Sequence, residues 1–278
     1  MKNNTLKLFS IIMFFIFVSC SADNSVQDIK DDKYKNVILV QGALDIEVNT
    51  LINALENVNI ERYGSWVFYI GTIKGKSGDN KVIVSRTEVG LVNASASTTI
   101  GIEKYHPTLV INQGTSGGHD IELKTGDIVL GTNIVNFGSF RTERSESSDQ
   151  NNWIFMEAPQ RLRDNNDNMI TNNSFYSTVE YVEIAKEVPY VRGKLVEGTI
   201  GSADQWNREL ERINMIHSKF NTSVEEMETV AVAQVCSAFN IPFLAVRILS
   251  NTDLHNEEFN PESAVWCNEY VIDLIKSI

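Results

Sequence analysis

Short β-branched runs alternate with longer stretches of helical period along most of the chain, which predicts an α/β protein on a partly parallel sheet. Val37 to Gln41 reads as the first strand, broken at Gly42-Ala43. Glu47 to Leu55 follows as a helix, because Val48, Leu51, Ile52 and Leu55 fall on one face. Trp66 to Ile73 and Lys81 to Arg86 form a predicted hairpin with Lys76 to Asn80 as its turn. Val89 to Tyr105 carries small residues along one side of a helix, and Leu109 to Gln113 reads as a buried strand. Asp127 to Val135, Lys194 to Ser202 and Phe243 to Leu249 read as further strands, Thr229 to Phe239 and Ala264 to Ile278 as helices. Residues 142 to 173, crowded with Asn, Asp, Ser and Arg, show little period and read as a loop-rich excursion with room for one short helix.

The first nineteen residues break this pattern. Lys2 and Lys7 flank a polar start, and Leu8 to Val18 is almost uninterrupted apolar sequence ending in Phe17-Val18-Ser19-Cys20. That is the make-up of a signal peptide, and it is shorter than the roughly 20 apolar residues that cross a bilayer. A Cys after a small residue at this point resembles a bacterial lipobox, with Phe17 in place of the usual Leu, and implies lipidation at Cys20. A plain secretory signal with a chance Cys nearby is the weaker alternative. The expected organisation is a lipoprotein signal peptide over 1–19, a polar tether over 20–34 and one catalytic domain over 35–278. The expected place is outside the cytoplasm, periplasmic or at the cell surface, with the membrane reached through the lipid anchor only.

Charge narrows the partners. The chain carries 24 Lys and Arg against 36 Asp and Glu, a formal net charge of -12. Losing residues 1–19 removes Lys2 and Lys7 and no acid, leaving 22 basic against 36 acidic residues, or -14. So acidic a surface argues against nucleic acid, whose phosphates need clustered cations. Cys236 and Cys267, the two cysteines besides Cys20, sit in apolar stretches and read as buried thiols. The four His, at 106, 119, 217 and 255, match no metal-ligand spacing, and neither metal nor cofactor is expected. His119-Asp120 reads as a turn-capping Asp beside an exposed His.

Gly114-Thr115-Ser116-Gly117-Gly118 follows directly on the Leu109 to Gln113 strand. A Gly-rich turn at a strand end admits a ligand close to the backbone, but it lacks the Lys of a P-loop and the spacing of a dinucleotide fingerprint. It gains weight from its company. Gly42 to Val48, Ile111 to Gly118, Gly126 to Val129, Ser202 to Trp206, Glu226-Met227-Glu228 and Arg247 to Asn251 occur in that order. Together they resemble the bacterial 5'-methylthioadenosine/S-adenosylhomocysteine nucleosidases of the purine nucleoside phosphorylase/nucleosidase superfamily, over Val37 to Ile278. The resemblance implies one three-layer α/β/α domain with a central mixed sheet and a homodimer whose pockets borrow from the partner. It also implies hydrolysis of the N-ribosidic bond of a purine nucleoside or thionucleoside.

Such cleavage passes through an oxocarbenium-like sugar, so carboxylates must stabilise positive charge on the ribose while the base departs with the electrons. By the resemblance, Glu47 orients and deprotonates the attacking water, and Glu228 accepts hydrogen bonds from the ribose hydroxyls. Read without the resemblance, Glu47 is rather a first-turn carboxylate favoured by the helix dipole. Met227 packs on the sugar, Trp206 takes the place of the family's stacking Phe, and Asn207 offers backbone hydrogen bonds to the base edge. Val89 lies near the sugar and Gly117 near the ribose or base; Thr115, Arg247 and Ser250 complete the implied substrate-binding set.

The pattern breaks at Asn251, where the nucleosidases carry the Asp that protonates purine N7. An amide donates a hydrogen bond but delivers no proton. Asn is familiar there in members acting on 6-oxopurines; adenine stays open, since the amide oxygen can accept from its amino group, and Asp253 and Asp204 are candidate replacement acids. Related phosphorylases hold phosphate with Arg residues in the first loop and before the Gly-rich turn. Asp45, Glu47 and Asn112 stand there instead, so water is the expected acceptor, while Arg141 reaching a neighbouring subunit's site keeps phosphorolysis open. A lipoprotein that binds nucleosides without cleaving them is the alternative of another class, favoured by Asn251 and opposed by Glu47 with Glu228.

Overall fold

The structure, a computed structural model, describes residues 34–142, 144, 153–155, 160–163, 166–172 and 174–278. The signal peptide, nearly all of the tether, and Cys20 lie outside the described residues. Strand β1 (Asn36–Gly42) leads into helix α1 (Asp45–Ala54), and β2 (Glu56–Tyr63), β3 (Trp66–Gly75) and β4 (Gly78–Arg86) run as an antiparallel meander. Helix α2 (Leu91–Tyr105) precedes β5 (Leu109–Gly118) and β6 (Ile128–Asn136). Four short strands follow, β7 (Phe140–Thr142) paired with β8 (Trp153–Phe155) and β9 (Gln160–Arg163) with β10 (Met169–Asn172). The chain closes with α3 (Val179–Lys186), β11 (Leu195–Ser202), α4 (Leu210–Phe220), β12 (Thr222–Glu226), α5 (Thr229–Phe239), β13 (Phe243–Asn251) and α6 (Glu262–Ser277).

Strands β12-β11-β6-β13-β5-β1-β4-β3-β2 form one mixed sheet in that order. Alternation along the strands builds a core on each face. Ile38, Val40, Val82, Val84, Leu244 and Val246 meet α1, α3 and α6 through Val48, Leu51, Val182 and Val271. Their neighbours Leu39, Ile83, Val110 and Ala245 face α2 and α5 through Ala94, Ile102, Val230 and Cys236. The result is the expected three-layer α/β/α fold with a central mixed sheet. Cys236 and Cys267 are buried free thiols, as their apolar surroundings predicted.

A second pairing shapes the site. The end of β12 also lies antiparallel to β5, with Val224 opposite Gly118 and Glu225 opposite Gly117, so strands β12, β11, β6, β13 and β5 close into a ring. This corrects the reading of Gly114 to Gly118 as a turn. The segment stays in β5, paired along β13 from Arg247 opposite Gly114 to Asn251 opposite Gly117. Glycine is needed there for close approach: a Cβ on Gly114 would stand 2.6 Å from Arg247 Nη1 and 2.9 Å from Glu47 Oε1.

Strands β2, β7 to β10 and β12 and helices α3 and α4 were not expected, and the stretch read as a loop-rich excursion carries short strands in place of a helix among its described residues. β2 is an edge strand whose side chains are mostly exposed, so it lacks an apolar alternation, and its pairing with β3 decides its state. α3 buries only Val182 and Ala185, and α4 only Arg212, Ile213 and Ile216, too little apolar signal to mark either helix within a polar stretch.

Candidate active site

Glu47 sits in the first turn of α1 and is 2% exposed. Its Oε2 accepts from the backbone N–H groups of Ala43 (2.8 Å) and Leu44 (3.0 Å), while Oε1 accepts from the Thr115 N–H and hydroxyl, both at 2.7 Å. The first-turn position is as the dipole reading expected, and the same carboxylate also lines the cavity. It caps its own helix, and Thr115 of β5 turns it toward the space where β5, β12 and β13 end.

Glu226 and Glu228 flank Met227 at the passage from β12 into α5. Glu226 accepts from the N–H groups of Glu228 and Thr229, each at 2.9 Å to Oε2, and forms a 2.6 Å ion pair with Arg247 Nη2. Glu228 Oε1 accepts from Gly90 N–H at 3.0 Å, and its Oε2 lies 3.7 Å from the same guanidinium. Arg247 is 1% exposed and is further held by Asn112 Oδ1 and the Thr229 hydroxyl. Burial opposes its charge, but Glu226, Glu228 and Glu47 together outweigh that, and its pKa is raised. Burial pushes the Glu228 carboxyl up to about 8 and Glu226 adds to it, against the opposing pull of Arg247 and the Gly90 N–H.

These groups open on a cavity of about 280 Å³. Of the residues singled out in the sequence, Glu47, Val89, Thr115, Gly117 and Trp206 line it. So do Met227, Glu228, Ser250 and Asn251. Arg247 does not: its guanidinium is consumed beneath the floor by Glu226, Asn112 and Thr229, so its place is to hold carboxylates rather than to meet a ligand. Asn207 does not line the cavity either, because its N–H donates to Glu225 Oε1 (2.7 Å) and its side-chain amide to Glu225 Oε2 (2.6 Å).

Asp253 and Asp204, the candidate acids, are also absent from the lining. Asp253 is paired with Arg208 at 2.9 Å, and Asp204 accepts from Leu91 N–H at the start of α2. The expected exposed His119 is in fact 2% exposed, because the antiparallel contact of β12 with β5 folds it inward. Its Nδ1 is bonded to the Thr222 hydroxyl and its Nε2 lies 3.2 Å from Glu225 Oε2. Asp120 does cap a turn, through Glu122 N–H.

Sequence reasoning missed Glu225, Glu226, Ser116, Gln205 and Phe259 in the lining. The acid-rich run Glu225-Glu226-Met227-Glu228 at the end of a β-branched segment was the available signal for the first two. With Glu47, Glu225, Glu226 and Glu228 around it and no Lys or Arg among the described lining residues, the cavity favours a neutral or cationic occupant. Among the described residues, no group of three or more His, Cys, Asp and Glu is placed to hold a metal ion.

The mixed sheet between two helical layers, with a carboxylate-lined cavity at the ends of β5, β12 and β13, is the architecture of a nucleoside phosphorylase-like protein. Residues 37–277 match the family model described as Phosphorylase superfamily. The chain is 30% identical over 251 residues to the 5'-methylthioadenosine/S-adenosylhomocysteine nucleosidase of Bacillus licheniformis, covering 87% of this chain and 99% of that one. It is 29% identical over 253 residues to the nucleosidase of the same name from Bacillus cytotoxicus, covering 87% and 99%. Among solved structures, that of the Neisseria meningitidis nucleosidase in complex with methylthio-immucillin-A superposes with a TM-score of 0.71 at 25% identity, over 87% of this chain and 100% of that one. Futalosine hydrolase of Helicobacter pylori shares the fold, with a TM-score of 0.68 at 22% identity over 86% and 97%. The chain belongs to the phosphorylase superfamily and, within it, to the family of 5'-methylthioadenosine/S-adenosylhomocysteine nucleosidases.

The raised pKa of Glu228 ties stability to pH. Between the ordinary carboxyl value and about 8, the folded chain holds a proton that the unfolded chain has lost, so stability falls as pH rises through that window. Urea unfolding between about pH 4 and about pH 9 is expected to show this decline in the wild type and a flatter profile in E228Q; parallel profiles would refute it.

Proposed function

We propose that this protein hydrolyses the N-ribosidic bond of a purine nucleoside or thionucleoside. The observation that carries the proposal is the convergence of Glu47 and Glu228, from opposite ends of the domain, on one cavity. Glu228, tied to Gly90 N–H and near Arg247, accepts from a ribose hydroxyl, and positive charge developing on the sugar favours release to solvent of the proton that its raised pKa holds, which leaves a carboxylate beside the cation. Glu47 is bonded to four donors, so a water takes up Oε1 in exchange for the Thr115 hydroxyl and is oriented there for attack at the anomeric carbon. The bond between that carbon and the base nitrogen breaks and its electron pair leaves with the base; the water supplies the new hydroxyl, its other proton passes to Glu47, and the departing base takes up one proton. Trp206, 66% exposed at the rim, has a face free to stack on the base, and Met227 packs against the sugar.

Water is favoured over phosphate because a dianion entering among Glu47, Glu225, Glu226 and Glu228 would meet no guanidinium in the described lining. The family resemblance supports a homodimer. The apolar run ending at Cys20 supports export and lipid anchoring at that residue, in the periplasm or at the cell surface. Among the described residues no helix is long and apolar enough to cross a membrane.

Incubated with methylthioadenosine, adenosylhomocysteine, adenosine and inosine, with and without phosphate, the purified protein is expected to release free base and free sugar regardless of phosphate. E47Q and E228Q should each lose on the order of 10²- to 10⁴-fold in kcat. Sugar 1-phosphate as product would replace hydrolysis with phosphorolysis, and intact nucleoside with measurable binding would make the protein a receptor. In cells, labelled palmitate is expected on the wild type and absent from C20A. Sedimentation of the purified protein is expected at twice the chain mass, and a monomer would remove the dimer.

A further inference from the structure

We infer that the base end of the cavity is built for a 6-oxopurine, with Glu225 accepting the hydrogen on N1 of the base and Asn251 donating to O6 and N7. This deepens the cleavage reading above and rests on it for the placement of the base against Asn251.

The polarity of the wall supports this assignment. The resemblance leads one to expect a backbone N–H at residue 207 facing the base, and that N–H is spent on Glu225 Oε1 at 2.7 Å. A carboxylate thus stands in the lining where a donor was expected, and acceptor replaces donor. Glu225 is 4% exposed and held from more than one side. The Asn207 side chain donates to Oε2 at 2.6 Å, and buried His119 Nε2, which makes no hydrogen bond of its own, lies 3.2 Å from the same oxygen. Two carboxylate oxygens have about four lone-pair sites between them, so a donor from the cavity still finds one.

Asn251 stands on the same wall. With the Ser250 hydroxyl donating to its Oδ1 at 3.0 Å, Nδ2 is left for the cavity; the same hydroxyl hydrogen also has the Ser116 carbonyl within 3.1 Å. Nδ2 and the Glu225 Cγ both lie 3.6 Å from the point where a Cβ on Gly117 would stand, so donor and acceptor are neighbours on one wall. A 6-oxopurine matches this order, with O6 and N7 accepting and N1–H donating. Adenine opposes it at Glu225, where its N1 lone pair faces a carboxylate. The Asn251 amide can turn over to meet the adenine amino group, since Nδ2 would then donate to a Ser250 hydroxyl that itself donates to the Ser116 carbonyl at 3.1 Å, so the discrimination rests on Glu225, which no rotation makes a donor. A site that pairs buried polar groups with one substrate leaves them unpaired with the other, and this is where large discrimination arises.

The test uses four nucleosides and two proteins. For the wild type, kcat/KM on inosine is expected to exceed that on adenosine by at least about 100-fold. 1-Methylinosine, which keeps O6 and N7 but has lost the N1 hydrogen, should fall at least about tenfold below inosine. In E225Q the preference for inosine over 1-methylinosine should shrink by about tenfold, whereas a residue that merely braces the 205–208 segment would lower both alike. Methylthioadenosine serves as the check on cleavage itself. Cleavage of adenosine or methylthioadenosine in preference to inosine, or equal handling of inosine and 1-methylinosine, overturns the inference and leaves the cleavage reading standing. If no nucleoside is cleaved, the cleavage reading falls. Calorimetric binding of free hypoxanthine against free adenine to the wild type then decides the base-edge assignment alone, and it does the same should E225Q fail to fold. Tighter hypoxanthine supports the assignment; equal or tighter adenine overturns it.

Discussion

One buried guanidinium organises the site. Arg247 gives up its solvation entirely and recovers it from the Glu226 carboxylate, the Asn112 amide oxygen and the Thr229 hydroxyl, while staying within reach of Glu228. A buried ion pair is a costly construction in terms of stability, because two charges must leave water. What it secures is position. Carboxylates brought this close would repel one another or take up protons, and the fixed positive charge beneath them allows several to share one floor. Glu228, whose pKa remains raised, shows that this compensation is incomplete and that the cavity stays hungry for positive charge.

The closure of β5 against β12 gives that charge cluster its place. Without it, β5 would end as an ordinary strand and Glu225 would point into solvent from a sheet edge. With it, Gly117 lies opposite Glu225 and the last residues of β13 come alongside. The glycines of β5 serve this approach, since a side chain at Gly114 would collide with Arg247 and Glu47 together. Packing of α2 onto the opposite face then brings Gly90 N–H to Glu228, so a helix start from the first half of the chain helps hold a carboxylate from the second.

The cavity has two chemical ends. At one, Glu47 and Glu228 are carboxyl groups held by backbone donors. At the other, the groups alternate in polarity, with the Asn251 amide and the Glu225 carboxylate side by side. At this second end Glu225, Asn207 and His119 form a buried cluster next to Asn251.

The amino-acid order by itself determined the strands and helices that carry the core, because their side chains alternate or recur with the period of the element. It also determined the six motif segments, and with them Glu47, Met227, Glu228 and Asn251. Strand β2 was hidden because an exposed edge strand carries no apolar rhythm. The roles of Arg247 and Asn207 were decided only in three dimensions. Nothing local tells a guanidinium in a strand whether it will face a ligand or a buried carboxylate, nor an N–H whether a glutamate from β12 will claim it first. His119 shows the same limit: a polar residue after a Gly-rich run reads as exposed, and a strand from far along the chain buries it. Short-range physics fixes which residues share a face, whereas the partner of a buried polar group depends on contacts between distant segments that only the closed sheet creates.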